Sequence, residues 1–172
     1  MRDSNQARTN AACHMENILF YRMDAQQLDF EENSFDLIVT RNLTWNLENP
    51  EQAYLQWHRV LSPGGRLLNF DANWYLHVHD AEKRREYELG RINTHKNNYD
   101  DHYNNTDIEA MEAIARKLPL SRINRPEWDA SVLLSVGFKK VLVETALGEK
   151  VWDEEEKVNY GSTPMFMVMG EK

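Results

Sequence analysis

Two runs of apolar and β-branched residues near the start of the chain have the pattern of strands. Residues 18–23 read Ile-Leu-Phe-Tyr-Arg-Met and are followed by Asp24, and residues 35–40 read Phe-Asp-Leu-Ile-Val-Thr. The continuous apolar centre of the second run predicts a strand that is buried on both faces. Residues 31–34, between the two runs, have the composition of a turn.

A helical period follows the second run. Pro50 begins a segment with one apolar face, and Pro63-Gly64-Gly65 ends it. The apolar face consists of Ala53, Trp57, Val60 and Leu61. Residues 66–70 then predict a third strand, which starts from the turn made by the two glycines. A strand, a helix and a strand with short connections are typical of a parallel β-α-β unit, whose crossover is almost always right-handed.

Residues 80–125 form a polar segment, rich in Asn, His and Tyr, that predicts a helical cover between strands. Within it, Thr106-Asp107-Ile108-Glu109 fits a capping box. The helix that begins there has one apolar stripe, which consists of Ile108, Met111, Ala115 and Leu118.

The last part of the chain predicts one more helix and two strands. Pro126 begins the helix and Gly137 ends it. Residues 139–147 and 164–170 predict the strands, and the acidic loop between them, residues 148–163, suits an antiparallel pair. The elements together predict an α/β fold and a single domain, with a mostly parallel sheet and an antiparallel strand pair at its carboxyl-terminal side.

The composition excludes several classes of function. A net charge of −8 over 172 residues argues against a broad nucleic-acid surface, because phosphate binding needs clustered Lys and Arg. Lys83-Arg84-Arg85, the one tight basic group, lies among glutamates and is typical of a solvated helix face. Cys13 is the only cysteine, so we expect no internal disulfide and a cytoplasmic location. No apolar run approaches the ~20 residues that cross a bilayer, so we expect no membrane partner.

Candidate chemistry lies where the predicted strands end. In an open parallel sheet, ligands bind beyond the carboxyl ends of the strands. Asp24-Ala25, Arg41-Asn42 and residues 71–75 (Asp-Ala-Asn-Trp-Tyr) follow three predicted strands in this way. Asp and Asn are also common turn formers, so each end taken alone fits a plain turn. The presence of Trp45 and Trp74 beside two of these ends favours a ligand site.

Three motifs, taken in order, point to a known family. Asp24-Ala25 ends a strand, residues 28–39 read L-x-F-x-x-x-S-F-D-L-I-V, and residues 59–67 read R-V-L-x-P-G-G-R-L. In this order and spacing, residues 23–71 resemble the middle of the class I S-adenosylmethionine-dependent methyltransferases with a type 11 domain. The nearest likeness is to the quinone-biosynthesis C-methyltransferases.

The resemblance implies a Rossmann-like sheet, S-adenosylmethionine as the cofactor and a set of cofactor contacts. At the position of Asp24 the family has a carboxylate that accepts a hydrogen bond from the adenine amino group, and the next amide, here that of Ala25, contacts the ring. Arg41 and Asn42 would line the methionine part of the cofactor. Gly64 and Gly65 match positions that shape the turn before a strand.

The same resemblance places the acceptor beyond the third strand. Asp71, Asn73 and His77 would be the catalytic residues, with His77 as a general base. The residues that would bind the substrate are Trp45, Trp74, Tyr75, Tyr103 and Trp128. A methyl sulfonium is a cation, so an aromatic wall has a physical reason to lie there. His77-Val78-His79-Asp80 does not complete a known zinc set, and we predict no metal site.

We therefore expect methyl transfer to a small-molecule acceptor by in-line displacement, which depends on alignment of the reacting groups. The alternative is a non-catalytic fragment or an interaction module of the same fold. The family's glycine-rich motif and its ribose-binding carboxylate do not occur in this sequence, so we expect an N-terminally truncated domain that binds the cofactor weakly at best and transfers little methyl. We also expect its exposed sheet edges to favour homo-oligomers.

Overall fold

The computed structural model describes residues 8–9, 11, 17–104 and 106–172. Within these residues a four-stranded sheet has the order β1-β2-β4-β3. The strands are β1 (Phe35–Arg41), β2 (Leu61–Asp71), β3 (Lys140–Glu144) and β4 (Phe166–Glu171). The helices are α1 (Pro50–Val60), α2 (Ala81–Lys96), α3 (Ile108–Ala115), α4 (Glu127–Val136), α5 (Leu147–Val151) and α6 (Glu154–Tyr160). Short 3₁₀ turns lie at Thr44–Asn46, Leu76–Val78 and Pro119–Arg122.

The predicted parallel β-α-β unit is confirmed as β1-α1-β2. The two strands pair in parallel, and Thr40 lies opposite Asn69 near their carboxyl ends. Asn49 caps α1 by accepting a hydrogen bond from the Gln52 amide at 3.2 Å. The helix ends at Val60, and Leu61 belongs to β2 rather than to the apolar face of the helix.

The two glycines have the structural role that the sequence predicts, although β2 begins before them. Gly64 has a φ of +77°, which favours glycine. A Cβ atom on Gly65 would lie 2.8 Å from the carbonyl oxygen of Ser62 and 3.2 Å from that of Asp36. At Gly65, β2 can therefore lie this close to the backbone of β1 only because the residue has no side chain.

The α/β class and the antiparallel carboxyl-terminal pair are confirmed, but the sheet is less parallel than predicted. β4 is antiparallel to both β2 and β3 and lies between them, so one of the three strand pairs in the described residues is parallel. The first predicted strand does not contribute a parallel pair, because residues 18–23 form no regular structure.

The prediction of a strand at residues 18–23 is therefore wrong. Asp24 forms only an isolated bridge with Gln27, and the Leu19 side chain is 79% exposed. An apolar run becomes a strand only where a neighbouring strand accepts its hydrogen bonds, and among the described residues none does so here. The prediction that β1 is buried on both faces is also wrong, since Leu37 is 52% and Val39 57% exposed. β1 lies at the edge of the sheet, and one of its faces remains open.

The helices of the second half differ from the predictions in detail. α3 is capped by Asp107, which accepts a hydrogen bond from the Ala110 amide at 3.0 Å, rather than by Thr106. α4 follows Pro126 and ends at Gly137, as predicted. The predicted loop at residues 148–163 instead contains α5 and α6.

The core lies between one face of the sheet and the helices α1 and α4. Its largest buried side chains include Tyr54 and Trp57 from α1, Leu67 from β2, Leu133 from α4 and Val168 from β4. Burial of such side chains is worth about 1.5–3 kcal/mol each and fixes the helices against the sheet. In the part of the chain that the structure describes, no helix has the length and apolar character needed to span a membrane.

Candidate functional site

A cleft of about 290 Å³, here called the aromatic cleft, lies beyond the carboxyl ends of β1 and β2. Five of the predicted site residues line it: Asn42, Trp45, Trp74, Tyr75 and Tyr103. The ring centroids of Trp45 and Tyr75 are 5.0 Å apart. The structure therefore brings the loop after β1, the loop after β2 and the cover segment together around one space.

Tyr160, which the sequence analysis missed, completes the aromatic cleft. It lies at the end of α6, and its ring contacts that of Trp74 edge-on, with centroids 5.8 Å apart. The Nδ1 atom of His102 lies 2.9 Å from the Tyr160 hydroxyl, and its Nε2 atom lies 3.2 Å from Glu155. A signal for α6 was present, because Asp153 and Glu156 form a capping box.

Asn42 turns the chain at the end of β1. Its φ of +53° lies in the left-handed region, which Asn tolerates better than most residues. Its amide donates to the Phe70 carbonyl at 2.9 Å, and its carbonyl accepts a hydrogen bond from the Trp45 indole at 3.1 Å. Both backbone groups are thus occupied, and among the described residues the side chain makes no hydrogen bond, which leaves it available to a ligand.

Asp71 lies directly behind the aromatic cleft and is fully buried. Its Oδ1 atom accepts hydrogen bonds from the Ala72 amide and the Trp74 indole, each at 3.0 Å. Its Oδ2 atom accepts from the Trp45 amide at 3.0 Å, from Arg125 at 2.8 Å and from the Thr44 hydroxyl. The carboxylate thus connects the ends of β1 and β2 to a residue that lies 54 positions further along the chain.

Arg125 is the centre of a buried ionic cluster that the sequence analysis missed. Its guanidinium bonds Asp129 at 2.7 Å through two nitrogens, Asp71 at 2.8 Å and Thr44 at 2.7 Å. Burial opposes the positive charge, but the two aspartates outweigh burial and raise the pKa of the guanidinium. The available signal was Asp129, an acidic residue among the apolar positions of α4 and four residues after an arginine.

Tyr54 extends the ionic cluster into the core. Its hydroxyl donates to Asp129 and accepts a hydrogen bond from Asn69 at 2.9 Å. Burial and the nearby Asp129 raise the pKa of Tyr54 well above its usual value, so the phenol stays protonated. Asn69 in turn accepts a hydrogen bond from Thr40 at 2.7 Å. Asp129, Tyr54, Asn69 and Thr40 thus form a buried row of hydrogen-bonded side chains. Each of them has a partner, as buried polar groups require.

Asn73 and His77 line a separate polar cavity of about 190 Å³ rather than the aromatic cleft. The Asn73 side chain donates to the Arg125 carbonyl at 2.9 Å and accepts from the Arg125 amide at 3.0 Å. His77 stacks on Tyr87 with centroids 4.3 Å apart, and its Nε2 atom lies 3.3 Å from Glu112. Burial and the nearby Arg84 lower the pKa of His77, and Glu112 partly opposes the shift.

Besides the buried Asp71, four predicted residues lie outside both spaces. Asp24 is exposed and accepts a hydrogen bond from the Gln26 amide at 2.9 Å, which lowers the pKa of its carboxyl. The carbonyl of Ala25 accepts from the Trp57 indole at 3.1 Å. Arg41 lines a more apolar cavity of about 430 Å³ beside β1 and β2. Trp128 packs against Tyr54, with centroids 6.3 Å apart, because α4 lies against α1.

Comparison with known sequences finds a match over the first part of the chain. Residues 2–69 match the model of the family described as "Methyltransferase domain". The resemblance to methyltransferases is confirmed. The ubiquinone/menaquinone biosynthesis C-methyltransferase of Blochmanniella pennsylvanica is 40% identical over 57 residues, which cover 33% of this chain and 22% of the relative. The enzyme of that name from Pseudoalteromonas translucida is 42% identical over 52 residues, which cover 30% of this chain and 21% of the relative. The matched segment thus spans about a fifth of these relatives.

Solved structures show the methyltransferase fold over nearly the whole chain. Phosphoethanolamine N-methyltransferase 2 of Haemonchus contortus, in complex with S-adenosylmethionine, aligns with a TM-score of 0.52 and 15% identity, covering 87% of this chain and 36% of that one. The arsenic(III) S-adenosylmethionine methyltransferase of Chlamydomonas reinhardtii aligns with a TM-score of 0.51 and 15% identity, and the alignment covers 99% of this chain and 52% of that one. The [4+2]-cyclase SpnF aligns with a TM-score of 0.53 and 16% identity, and the alignment covers 98% of this chain and 60% of that one. Since one of these proteins is a cyclase, the fold alone does not determine the reaction.

Proposed function

We propose that this chain takes part in methyl transfer from S-adenosylmethionine to a small-molecule acceptor, with the aromatic cleft at the place of transfer. The observation that carries the proposal is the position of the aromatic cleft at the carboxyl ends of the parallel strands β1 and β2, where ligands of α/β sheets bind. The match of residues 2–69 to a methyltransferase domain supports it.

The walls of the aromatic cleft suit a cationic sulfonium. S-adenosylmethionine, when bound, supplies an electrophilic methyl group on a positively charged sulfur. Trp45 and Tyr75 line the aromatic cleft, and aromatic rings attract a cation by about 0.5–2 kcal/mol. Burial raises the pKa of Tyr75, and it raises the pKa of Tyr103 to about 12, so both phenols are neutral at pH 7. Asn42, with its free side-chain amide, would hold the methionine part.

The polar cavity next to the aromatic cleft would receive the group of the acceptor that loses a proton. His77 is neutral at pH 7 and accepts that proton, and the carboxylate of Glu112 stabilises the resulting imidazolium. The rings of Tyr75 and His77 are 5.7 Å apart, so the two spaces lie on either side of one aromatic contact. Asp24, Ala25 and Arg41 remain the proposed contacts of the adenosine and methionine parts.

The names of the curated relatives suggest the acceptor to test first. They are ubiquinone/menaquinone biosynthesis C-methyltransferases, and we propose a reduced quinone ring or a related phenol as the acceptor. A flat ring of this kind would pack against Trp74, which lies in the aromatic cleft and contacts Tyr160 edge-on.

Calorimetric titration with S-adenosylmethionine, carried to millimolar concentration, tests cofactor binding by the chain. Radiolabelled methyl transfer to hydroquinones and phenols then tests the reaction. We expect Trp74→Ala to lower the transfer rate at least about tenfold through loss of alignment while cofactor affinity holds. Trp128→Phe, which alters a partly buried ring that packs against Tyr54 outside the aromatic cleft, is the matched control and should leave the rate unchanged. A correctly folded chain with no heat of binding would refute the proposal and favour a non-catalytic interaction module.

A further inference from the structure

We propose that Asp71 and Arg125 are positioning residues, whose task is to hold the backbone at Trp45 and the indole of Trp74 in fixed relative positions. The expected effect of these residues on catalysis rests on the proposed function. Their effect on the positions of Trp45 and Trp74 does not depend on that function.

A single carboxylate binds the indole of Trp74 and the backbone of Trp45. Oδ1 of Asp71 accepts the indole N–H of Trp74 at 3.0 Å, and Oδ2 accepts the backbone amide of Trp45 at 3.0 Å. The Trp45 indole is fixed separately by the Asn42 carbonyl at 3.1 Å. The two walls of the aromatic cleft, which come from the loops after different strands, thus take their relative position from the two oxygens of one residue.

Asp71 has no capacity left for the acceptor. A carboxylate offers about four lone-pair sites, and the oxygens of Asp71 already accept from five donors. The side chain is also fully buried, so an acceptor cannot reach it. A general base needs a free lone pair within hydrogen-bond reach of the substrate. The geometry therefore assigns Asp71 a role in positioning and leaves proton transfer to His77.

Arg125 keeps the carboxylate in place from behind. Its guanidinium bonds Asp71 at 2.8 Å and Asp129 of α4 at 2.7 Å, and its backbone is held on both sides by Asn73. The side chains of all three charged residues are fully buried, where hydrogen bonds to charged groups are strong and water does not compete. The aromatic cleft is thus tied to α4, an element that does not line it.

The substitution Asp71→Asn tests this arrangement because an amide has only one acceptor oxygen. Whichever way the amide turns, its NH₂ group faces a donor, so the Trp45 amide or the Trp74 indole loses its acceptor. We would label the five tryptophans with fluorine and record fluorine NMR spectra, assigning each line by a Trp→Phe substitution. We expect the line of Trp45 or of Trp74 to shift or broaden relative to the wild-type spectrum.

Thr40→Val is the matched control. It removes the hydrogen bond from Thr40 to Asn69 in the same buried row but leaves every bond of Asp71 intact, so it should move neither line. Should Asp71→Asn fail to fold, Arg125→Lys keeps the charge, loses the forked donors and should shift the same lines. Unchanged Trp45 and Trp74 lines in a folded Asp71→Asn or Arg125→Lys protein would overturn the inference.

Kinetics separate positioning from proton transfer. We expect Asp71→Asn to lower kcat by about tenfold to a hundredfold through misalignment, with the pH profile of kcat unchanged. Loss of one limb of that profile would instead make Asp71 a general base and overturn the inference. If the wild-type chain binds no S-adenosylmethionine, the proposed function fails, and the fluorine spectra alone still decide whether Asp71 holds the tryptophans.

Discussion

The substitution Arg125→Met tests how much the buried ionic cluster contributes to stability. It removes the guanidinium between the carboxylates of Asp71 and Asp129 and keeps a long side chain in its place. Both carboxylates then remain in the core without a cation beside them. The expected result is a large loss of stability, because the desolvation cost of the two charges is no longer offset.

The size of the loss can be bounded from the geometry. The guanidinium makes four hydrogen bonds of 2.7–2.8 Å, three to carboxylates and one to a hydroxyl. At ~1.5–3 kcal/mol each, the three charged bonds sum to about 5–9 kcal/mol. This sum is too large, since the bonds are not independent and the methionine still packs against Phe166, whose ring lies 5.0 Å from the Arg125 guanidinium carbon. Breaking one partner of a buried pair costs about 3–5 kcal/mol, and we expect that value.

Urea unfolding followed by tryptophan fluorescence and circular dichroism measures this free energy. Arg66→Met is the matched control, because Arg66 pairs with Glu171 at 3.2 Å but is largely exposed. The control should lose less than about 1 kcal/mol. Adding Asp71→Asn to Arg125→Met removes one stranded charge and should recover part of the loss. An Arg125→Met protein as stable as the control, or a double variant weaker than the single one, would refute the reasoning.

Further predictions concern the backbone, the pH and the cofactor. Gly65→Ala should lower the free energy of unfolding by about 1–3 kcal/mol, because its Cβ would meet backbone oxygen at 2.8 Å. Gly90→Ala, in the interior of α2 with only one contact at 3.8 Å, should raise it by about 0.5–1 kcal/mol, and urea titration of both variants checks the contrast. Burial lowers the pKa of His77 in the folded state, so the unfolded chain takes up a proton there more readily. The free energy of unfolding should therefore fall from pH 7 to pH 5, and it should fall less steeply in His77→Gln. Urea unfolding midpoints measured across this pH range check the prediction. Asp24→Ala should weaken S-adenosylmethionine binding in calorimetry, and unchanged affinity would remove Asp24 from the site.

Local patterns predicted the elements whose stability depends on local chemistry. The apolar face of α1, the glycine that ends α4 and the apolar runs of β1 and β2 all act within a few residues, so the sequence reveals them. Residues 18–23 have the same kind of run and form no strand, because strand formation depends on a partner that the run itself does not specify.

The candidate site was predicted only where its residues follow directly from the order of the strands. Asn42, Trp45, Trp74 and Tyr75 follow strand ends, and the topology of a parallel pair brings such residues together. Arg125 lies in the turn before α4 and Tyr160 at the end of α6, and only tertiary packing places them at the site. A buried arginine is also hard to predict, since arginine is mostly exposed unless it is paired.

The central position of β4 has a consequence for the synthesis of the chain. β2 is complete at Asp71, but its second neighbour in the sheet begins only at Phe166, about 95 residues later, and the pair joins Arg66 to Glu171. At a translation rate of ~5–20 residues per second, the edge of β2 that β4 will cover stays open for roughly 5–20 s. During that time the unpaired strand is a template for other nascent chains. The yield of folded protein should therefore depend on translation speed and on chaperones that shield this edge.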